Sequence, residues 1–171
     1  MSGIAGFFHP DLIFQKDSEQ VKATAAAMSD ALCRRGPDSR EFYFFAQGCM
    51  NHNALACGSI HPQIPTEVQP AAKKFNGQNY AIMYDGFISN LPELRAELQR
   101  ARVRTDGLTQ EELLLCAFFQ YGSDFIKKLN GGFTIIIYDE RNNQMYLFRD
   151  PLGLRPLFYT IRDQVLIYAS E

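Results

Sequence analysis

The chain has 171 residues, 46% of them apolar and 21% charged, with a formal net charge of -2 and a pI near 5.9; these values exclude a disordered, collagenous or repeat polypeptide and predict one soluble domain over residues 1–171. No apolar run approaches the ~20 residues of a membrane span, the N-terminus MSGIAGFFHP lacks the charged start of a signal peptide, and Lys and Arg form no basic stripe, so neither a membrane nor nucleic acid is an expected partner and the cytoplasm is the expected location. Cys33, Cys49, Cys57 and Cys116 show no CxxC or Cys/His ligand spacing, which predicts reduced thiols and no metal site.

The opening GIAGFF predicts a short buried strand, because small and apolar residues run together until His9-Pro10. From Asp17 or Ser18 to Arg35, the residues Val21, Ala25, Met28 and Leu32 recur at helical spacing, and Gly36-Pro37 closes the end. EFYFFA at 41–46, the stretch from Ala54 to Ile60 and NYAIMYD at 79–85 predict strands separated by turn residues such as HPQIP and FNGQN. Asn90, with Pro92 in the first turn, opens a second helix with Leu91, Leu94 and Leu98 on one side. Thr109 and Glu112 form a capping box. The helix behind them, EELLLCAFFQY, is apolar on most sides and so is expected to pack deeply before it ends at Gly122. Ser123 is the expected cap of a further short helix, DFIKKLN. Four aromatic and β-branched runs follow, FTIIIYD, QMYLFRD, PLFYT and VLIYAS, the first two joined by a polar turn from Glu140 to Asn143. Strands at the start, middle and end with helical blocks between them predict mixed α+β layers rather than a regular βαβ alternation. The sequence stops at YASE directly after a strand, an expectation consistent with truncation from a longer polypeptide.

Five segments, in order, resemble the N-terminal glutaminase domain of asparagine synthetase, a class II glutamine amidotransferase of the N-terminal-nucleophile hydrolase group. They are SGIAGF at 2–7, RRGPDS at 34–39, YDGFISN at 84–90 followed by ELRAEL, LNGGFTIIIYD at 129–139, and RDPLGLRPLFY at 149–159. The resemblance covers essentially the whole chain and implies an αββα sandwich, four layers with two antiparallel sheets between helical layers. It implies an asparagine synthetase-like ATP-dependent domain as partner, in cis or in trans, with homodimer formation left open. It also implies no cofactor here, because the SGGxDS-like pyrophosphate loop that goes with ATP and Mg in that synthetase domain is absent from these residues.

Glutamine's amide is a poor electrophile, so the family's chemistry needs a thiolate nucleophile and donors aimed at the developing oxyanion. The resemblance implies a cysteine at residue one after Met removal, acting with its own α-amine as base; the matching position here is Ser2. The family's NGE motif supplies the oxyanion hole from an Asn amide and the following Gly N–H; the sequence reads Asp85-Gly86-Phe87. A carboxylate there repels the charge to be stabilised, and losing one such donor typically costs ~10²- to 10³-fold in rate. The family's arginine in LAHxRLSI grips the substrate α-carboxylate; LACGSI at 55–60 places Ser59 there. The Asp of the family's TD dipeptide holds the α-ammonium; Gln110 in LTQEEL occupies that place, with Asp106 upstream as the alternative.

Nucleophile, oxyanion donor and both substrate clamps differ together while the scaffold motifs persist, which is the pattern of a domain that keeps its shape and has lost glutaminase activity. The inactive N-terminal domains of β-lactam synthetase-like amide formers are similar in this loss. Two other readings stand beside it: an active amidotransferase or amidohydrolase that releases ammonia through Ser2, with glutamine a partner only in that case, or a serine hydrolase on a different acyl substrate with Asp85 protonated by burial, both needing Met1 removed; and a non-catalytic pocket for another small ligand. Plainer roles are expected elsewhere: Arg34, Arg35 and Asp38 as a helix end and turn, Arg149-Asp150 as a buried ion pair, Arg155-Pro156 as a rigid turn near a partner seam, and Cys33, Cys57 and Cys116 as core filler.

Overall fold

A computed structural model describes residues 2–14, 18–54, 63–64, 67–75 and 77–171. The described elements in chain order are β1 (Gly3–Phe8), α1 (Glu19–Ala31), β2 (Ser39–Phe45), β3 (Gly48–Ala54), β4 (Ala71–Phe75), β5 (Gln78–Ile88), α2 (Leu91–Arg100), α3 (Gln110–Tyr121), a 3-10 segment (Gly122–Lys128), β6 (Gly131–Asp139), β7 (Gln144–Arg149), β8 (Phe158–Arg162) and β9 (Val165–Ala169). The strands form two antiparallel sheets, the first in the order β2-β3-β1-β9-β8 and the second in the order β4-β5-β6-β7.

Period-two alternation in β1, β5 and β6 builds the layers, because successive side chains on a strand point to opposite faces. Ile4, Phe8 and Met50 of the first sheet meet Ala81, Met83, Ile136 and Tyr138 of the second in the central core. The alternate residues of the second sheet, Ile82, Tyr84, Ile135 and Ile137, pack on Leu94 and Leu98 of α2 and on Leu113, Leu114 and Ala117 of α3. On the other side, Phe7 and Cys49 pack under Val21 and Ala25 of α1. The result is the expected α+β sandwich of four layers. Each large apolar side chain sealed in these cores contributes about 1.5–3 kcal/mol, so the two-sided burial of β1, β5 and β6 dominates the fold. Gly6 serves this packing: a Cβ there would lie 2.2 Å from the Tyr168 hydroxyl, whose ring crosses β1 from β9.

Several boundaries differ from the sequence expectation for identifiable reasons. Helix α1 ends at Ala31 rather than Arg35. The Ser29 carbonyl accepts both Asn53 Nδ2, at 2.8 Å, and Leu32 N, and the chain tightens into i→i+3 bonds, Leu32 N→Ser29 O and Cys33 N→Asp30 O. Cys33 therefore lies beyond the helix and is exposed, not core filler, whereas Cys116 is buried as expected. Arg34 and Arg35 likewise lie outside the last helical turn. Strand β3 escaped notice because Asn51, His52 and Asn53 interrupt the apolar pattern; of the strand expected from Ala54 to Ile60, only Ala54 is described, and it ends β3. Strand β4 was also unforeseen, its AAKKF being short and half polar.

The capping box of α3 forms, with Glu112 N donating to Thr109 Oγ1 at 3.3 Å and Thr109 N to Glu112 Oε2 at 3.0 Å. Asn90 does not cap α2 with its side chain, because Pro92 has no N–H to offer. It instead bridges to Lys128 O and Asn130 N, tying α2 to the start of β6. The expected Ser123-capped helix is the 3-10 segment, which begins at Gly122. No described helix is long and apolar enough to cross a membrane.

Candidate active site

Strand β1 begins at the middle of the first sheet, and Asp85 lies on the face of β5 turned toward that sheet, in phase with Ala81 and Met83. The two sheets thereby bring Ser2 against Asp85: the Ser2 backbone N–H is hydrogen-bonded to the Asp85 carboxylate. Asp85 is 4% exposed, and its Oδ2 has no hydrogen-bond partner among the described residues. Burial raises its pKa above the ordinary carboxylate value, opposed by the guanidinium groups of Arg155 and Arg35 and by the Ser2 N–H. Gly86 follows with φ +126, and a Cβ there would fall 2.0 Å from the Gly132 carbonyl, so the backbone conformation requires glycine.

Arg155 reaches this place through the loop between β7 and β8. Asp150, 3% exposed, accepts backbone N–H bonds from Phe133, Leu152, Leu154 and Arg155 at 3.0–3.3 Å. Arg149 does not pair with it; its Nε donates to Arg155 O and its Nη2 to Gly153 O. The expected Arg149–Asp150 ion pair is thus replaced by two separate backbone clamps, since the turn leaves its own amides and carbonyls in need of partners. Together they set Arg155 beside Gly86, where its Cγ is 3.0 Å from a hypothetical Gly86 Cβ. Arg35 Nη1 donates to Ser170 O at 2.8 Å, tying the turn after α1 to the end of β9. Arg155 and Arg35 were read from sequence as turn residues; their repeated placement near glycines in RRGPDS and RDPLGLRP was the available signal.

Ser2, Asp85 and Gly86 are brought together; the other two sequence positions are not joined to them. Ser59 lies outside the described residues, as does Cys57. Gln110 opens α3 on the opposite face of the second sheet, buried, its Oε1 accepting from the Tyr84 hydroxyl at 2.6 Å and its Nε2 donating to Ile64 O at 3.3 Å. Asp106 is exposed on the turn between α2 and α3. Glu111, which the sequence reading passed over in favour of Glu112, is fully buried. Its carboxylate accepts from Glu67 N and Gln69 Nε2, both at 3.2 Å, and Gln69 Oε1 in turn accepts from Tyr84 N, next to Asp85. Burial pushes the Glu111 pKa up, against the pull of its own and Glu67's backbone N–H. Only the double Glu in EEL hinted at it.

The two buried thiols offer no relocated nucleophile. Burial pushes Cys49 up to about 12 and Cys116 up to about 11, which leaves both protonated near neutrality. Among the described residues no three His, Cys, Asp or Glu side chains gather as a metal cage. A further polar residue of the central core, His52 on β3, is 6% exposed with no hydrogen-bond partner for Nε2 among the described residues, and burial lowers its pKa to about 4.

A family model described as a glutamine amidotransferase domain matches residues 1–171. The chain is similar to "Asparagine synthetase [glutamine-hydrolyzing] 3" of Bacillus subtilis (strain 168), 32% identical over 171 residues, covering 100% of this chain and 26% of that protein. It is also similar to "Amidase chry2" of Gibberella zeae, 27% identical over 180 residues, covering 100% of this chain and 26% of that protein. The chain therefore spans about a quarter of the length of these curated relatives. Among solved structures, the glutamine phosphoribosylpyrophosphate amidotransferase of B. subtilis shares the fold with TM-score 0.67 at 15% identity, covering 99% of this chain and 42% of that one. An allosteric regulatory enzyme of purine biosynthesis does so with TM-score 0.69 at 17% identity and the same coverage. A match along the whole sequence and a sandwich shared with a known amidotransferase lead to one assignment: this chain belongs to the glutamine amidotransferase domain family, as the counterpart of the amidotransferase portion of asparagine synthetase-like proteins.

Proposed function

We propose that this domain has lost glutaminase activity and serves as the structural partner of an ATP-dependent, amide-forming synthetase domain, carried in cis or supplied in trans, in the cytoplasm. The observation that carries the reading is the buried Asp85 carboxylate beside Ser2. Hydrolysis of a carboxamide through Ser2 would place negative charge on the carbonyl oxygen, and a site for that charge needs N–H donors. Asp85 offers acceptor oxygens, and the nearby guanidiniums offset its own charge instead of an incoming one. Ser2 adds a hydroxyl where a thiol would ionise more readily. Gln110 supports the same reading, because its amide is committed to Tyr84 and Ile64 on the far side of the sheet.

The test is to incubate the purified protein with glutamine and measure ammonia and glutamate. Release no faster than in buffer is expected; turnover at the rate of an active amidotransferase overturns the proposal. One observation favours a second reading, an active Ser2 hydrolase. Burial favours the protonated form of Asp85, and a neutral carboxyl could donate to an oxyanion. That mechanism requires Ser2 as the free N-terminal residue, so intact-mass measurement of the protein from its native host discriminates: retention of Met1 excludes it.

A further inference from the structure

Strand β5 runs from Gln78 to Ile88, but its backbone ladder to β4 stops at the pair Ala71↔Ile82. Pro70 comes next, and it has no N–H with which to continue the pairing. Two residues further along β5, just before Asp85, the Tyr84 N–H therefore meets no strand on that side among the described residues. The Gln69 side chain takes the strand's place: its Oε1 accepts from Tyr84 N, and its Nε2 donates to Glu111 Oε1 at 3.2 Å. A primary amide offers an acceptor and a donor at one end, whereas a carboxylate only accepts and a backbone N–H only donates, so this amide orientation is the one that satisfies both neighbours. Glu111 fixes that orientation. Its other oxygen accepts from Glu67 N at 3.2 Å, and Glu67 is anchored in turn by its ion pair with Lys73, which also reaches Glu112 at 3.2 Å.

We propose that Glu111 and Gln69 are positioning residues of the candidate site: the carboxylate orients the amide, the amide holds the Tyr84 N–H, and the β5 backbone fixed in this way presents Asp85 and Gly86 to Ser2. The relay reaches the site from behind. Glu111 belongs to α3 on the helical side of the second sheet, whereas Asp85 faces the first sheet, so the effect passes through the main chain. Packing alone gives no reason for a carboxylate at position 111, because it is fully buried and a buried charge is costly unless its oxygens are filled. Gly86, at φ +126, leaves regular strand geometry directly after Asp85, which makes the anchor at Tyr84 the one that steadies the regular side of that residue. The role goes beyond the proposed loss of glutaminase activity, since it concerns how Asp85 is held and applies whether or not Ser2 turns over glutamine.

Amide hydrogen exchange of isotope-labelled protein, read by NMR, is the first measurement. Glu111→Gln and Gln69→Met should each speed exchange at Tyr84 by at least about tenfold and leave the β6 amides protected. Gln69 is only half-buried, so Gln69→Met tests the relay even where Glu111→Gln does not fold. The second measurement follows the Asp85 carboxyl carbon through a pH titration, its signal identified by its loss in Asp85→Asn. Each variant should move the midpoint toward the ordinary carboxylate value, because a loosened β5 admits water to the group. The third is rescue. When Gln69→Glu is combined with Glu111→Gln, carboxylate and amide exchange places: the new carboxylate accepts from Tyr84 N and from the new amide, whose oxygen accepts from Glu67 N. The pair should restore wild-type exchange and titration, whereas Gln69→Glu alone sets two carboxylates face to face and should not. Unchanged exchange at Tyr84 in the single variants, an Asp85 midpoint that stays in place while Tyr84 exchange accelerates, or a double variant that adds the two losses overturns the proposal. Ammonia release from glutamine is measured separately and bears only on the glutaminase reading.

Discussion

Asp150 and Asp85 are both carboxylates sealed in the same end of the sandwich, 3% and 4% exposed, and they have opposite fates. Burial alone would raise both. At Asp150 the backbone N–H groups of Leu154, Arg155, Phe133 and Leu152 outweigh it and hold the pKa below the ordinary value. At Asp85 burial dominates over the guanidiniums and the Ser2 N–H, and among the described residues one oxygen has no hydrogen-bond partner. A charged acceptor surrounded by donors stabilises a fold, whereas the same group left short of them is a cost. Asp150 is thus part of what keeps the amidotransferase shape, and Asp85 is a group whose burial the fold tolerates. Two carboxylates close together in the fold therefore meet opposite electrostatic surroundings.

Breaking the satisfied member should have the largest effect. Asp150→Ala orphans four backbone N–H groups and frees the loop that positions Arg155, at a cost of about 3–4 kcal/mol and a fall in melting temperature of about 10 °C. Because the folded pKa of Asp150 lies below its unfolded value, its stabilisation is complete above the unfolded pKa and is lost as pH falls through the folded one. Urea unfolding at neutral pH checks the first statement, and an acid titration of wild type against Asp150→Asn checks the second.

His52 extends the contrast to a base. It is neutral in the fold until about pH 4, while in the unfolded chain it takes up a proton near 6.5. Stability should therefore fall as pH drops from about 6.5 to about 4, by about 3 kcal/mol in total. His52→Gln should flatten that window in thermal melts recorded across it; an unchanged slope would show that His52 finds a partner for its charge.

Relieving the unsatisfied member should have a smaller effect of opposite sign. The raised pKa of Asp85 means that the fold prefers it protonated, so its contribution is most favourable below the unfolded pKa and is lost as pH rises through the folded value. Asp85→Asn removes that loss and should stabilise the protein at neutral pH by about 1 kcal/mol. Destabilisation by this change would mean that the two guanidiniums need the carboxylate more than the carboxylate suffers from burial.

The sequence carried most of the scaffold, because apolar alternation in GIAGFF, NYAIMYD and FTIIIYD is set by the two-faced burial of central strands, and the capping box of α3 is a local signal. It concealed β3, since Asn53 is polar yet buried against Ser29, 24 positions away, and Asn51 against the Glu41 carbonyl and Asn53 Oδ1. The meeting of Ser2, Asp85 and Gly86 was legible only through the family resemblance. Arg155, Arg35 and Glu111 were not, because their roles depend on backbone carbonyls and amides presented by distant segments, which no spacing rule encodes. The Arg149–Asp150 expectation failed for the same reason: adjacent opposite charges suggested each other, while both side chains found backbone partners in the turn they fold.

The least effect is expected from the change that looks most direct. On the proposed reading, Ser2→Cys supplies a better nucleophile at the head of β1 but leaves the Asp85 carboxylate at the proposed oxyanion position and adds no cation for the substrate. Effects of residues that act as a unit are far from additive, so repairing one member recovers little while the others remain defective. Glutamate release by Ser2→Cys, with Met1 removal verified by mass, should stay within about tenfold of background. Adding Asp85→Asn should raise it above the single variant, because the amide brings a donor to the same place. If Ser2→Cys alone restored full turnover, the two buried carboxylates would not differ in the way proposed, and Asp85 would have to be an oxyanion donor in its protonated form.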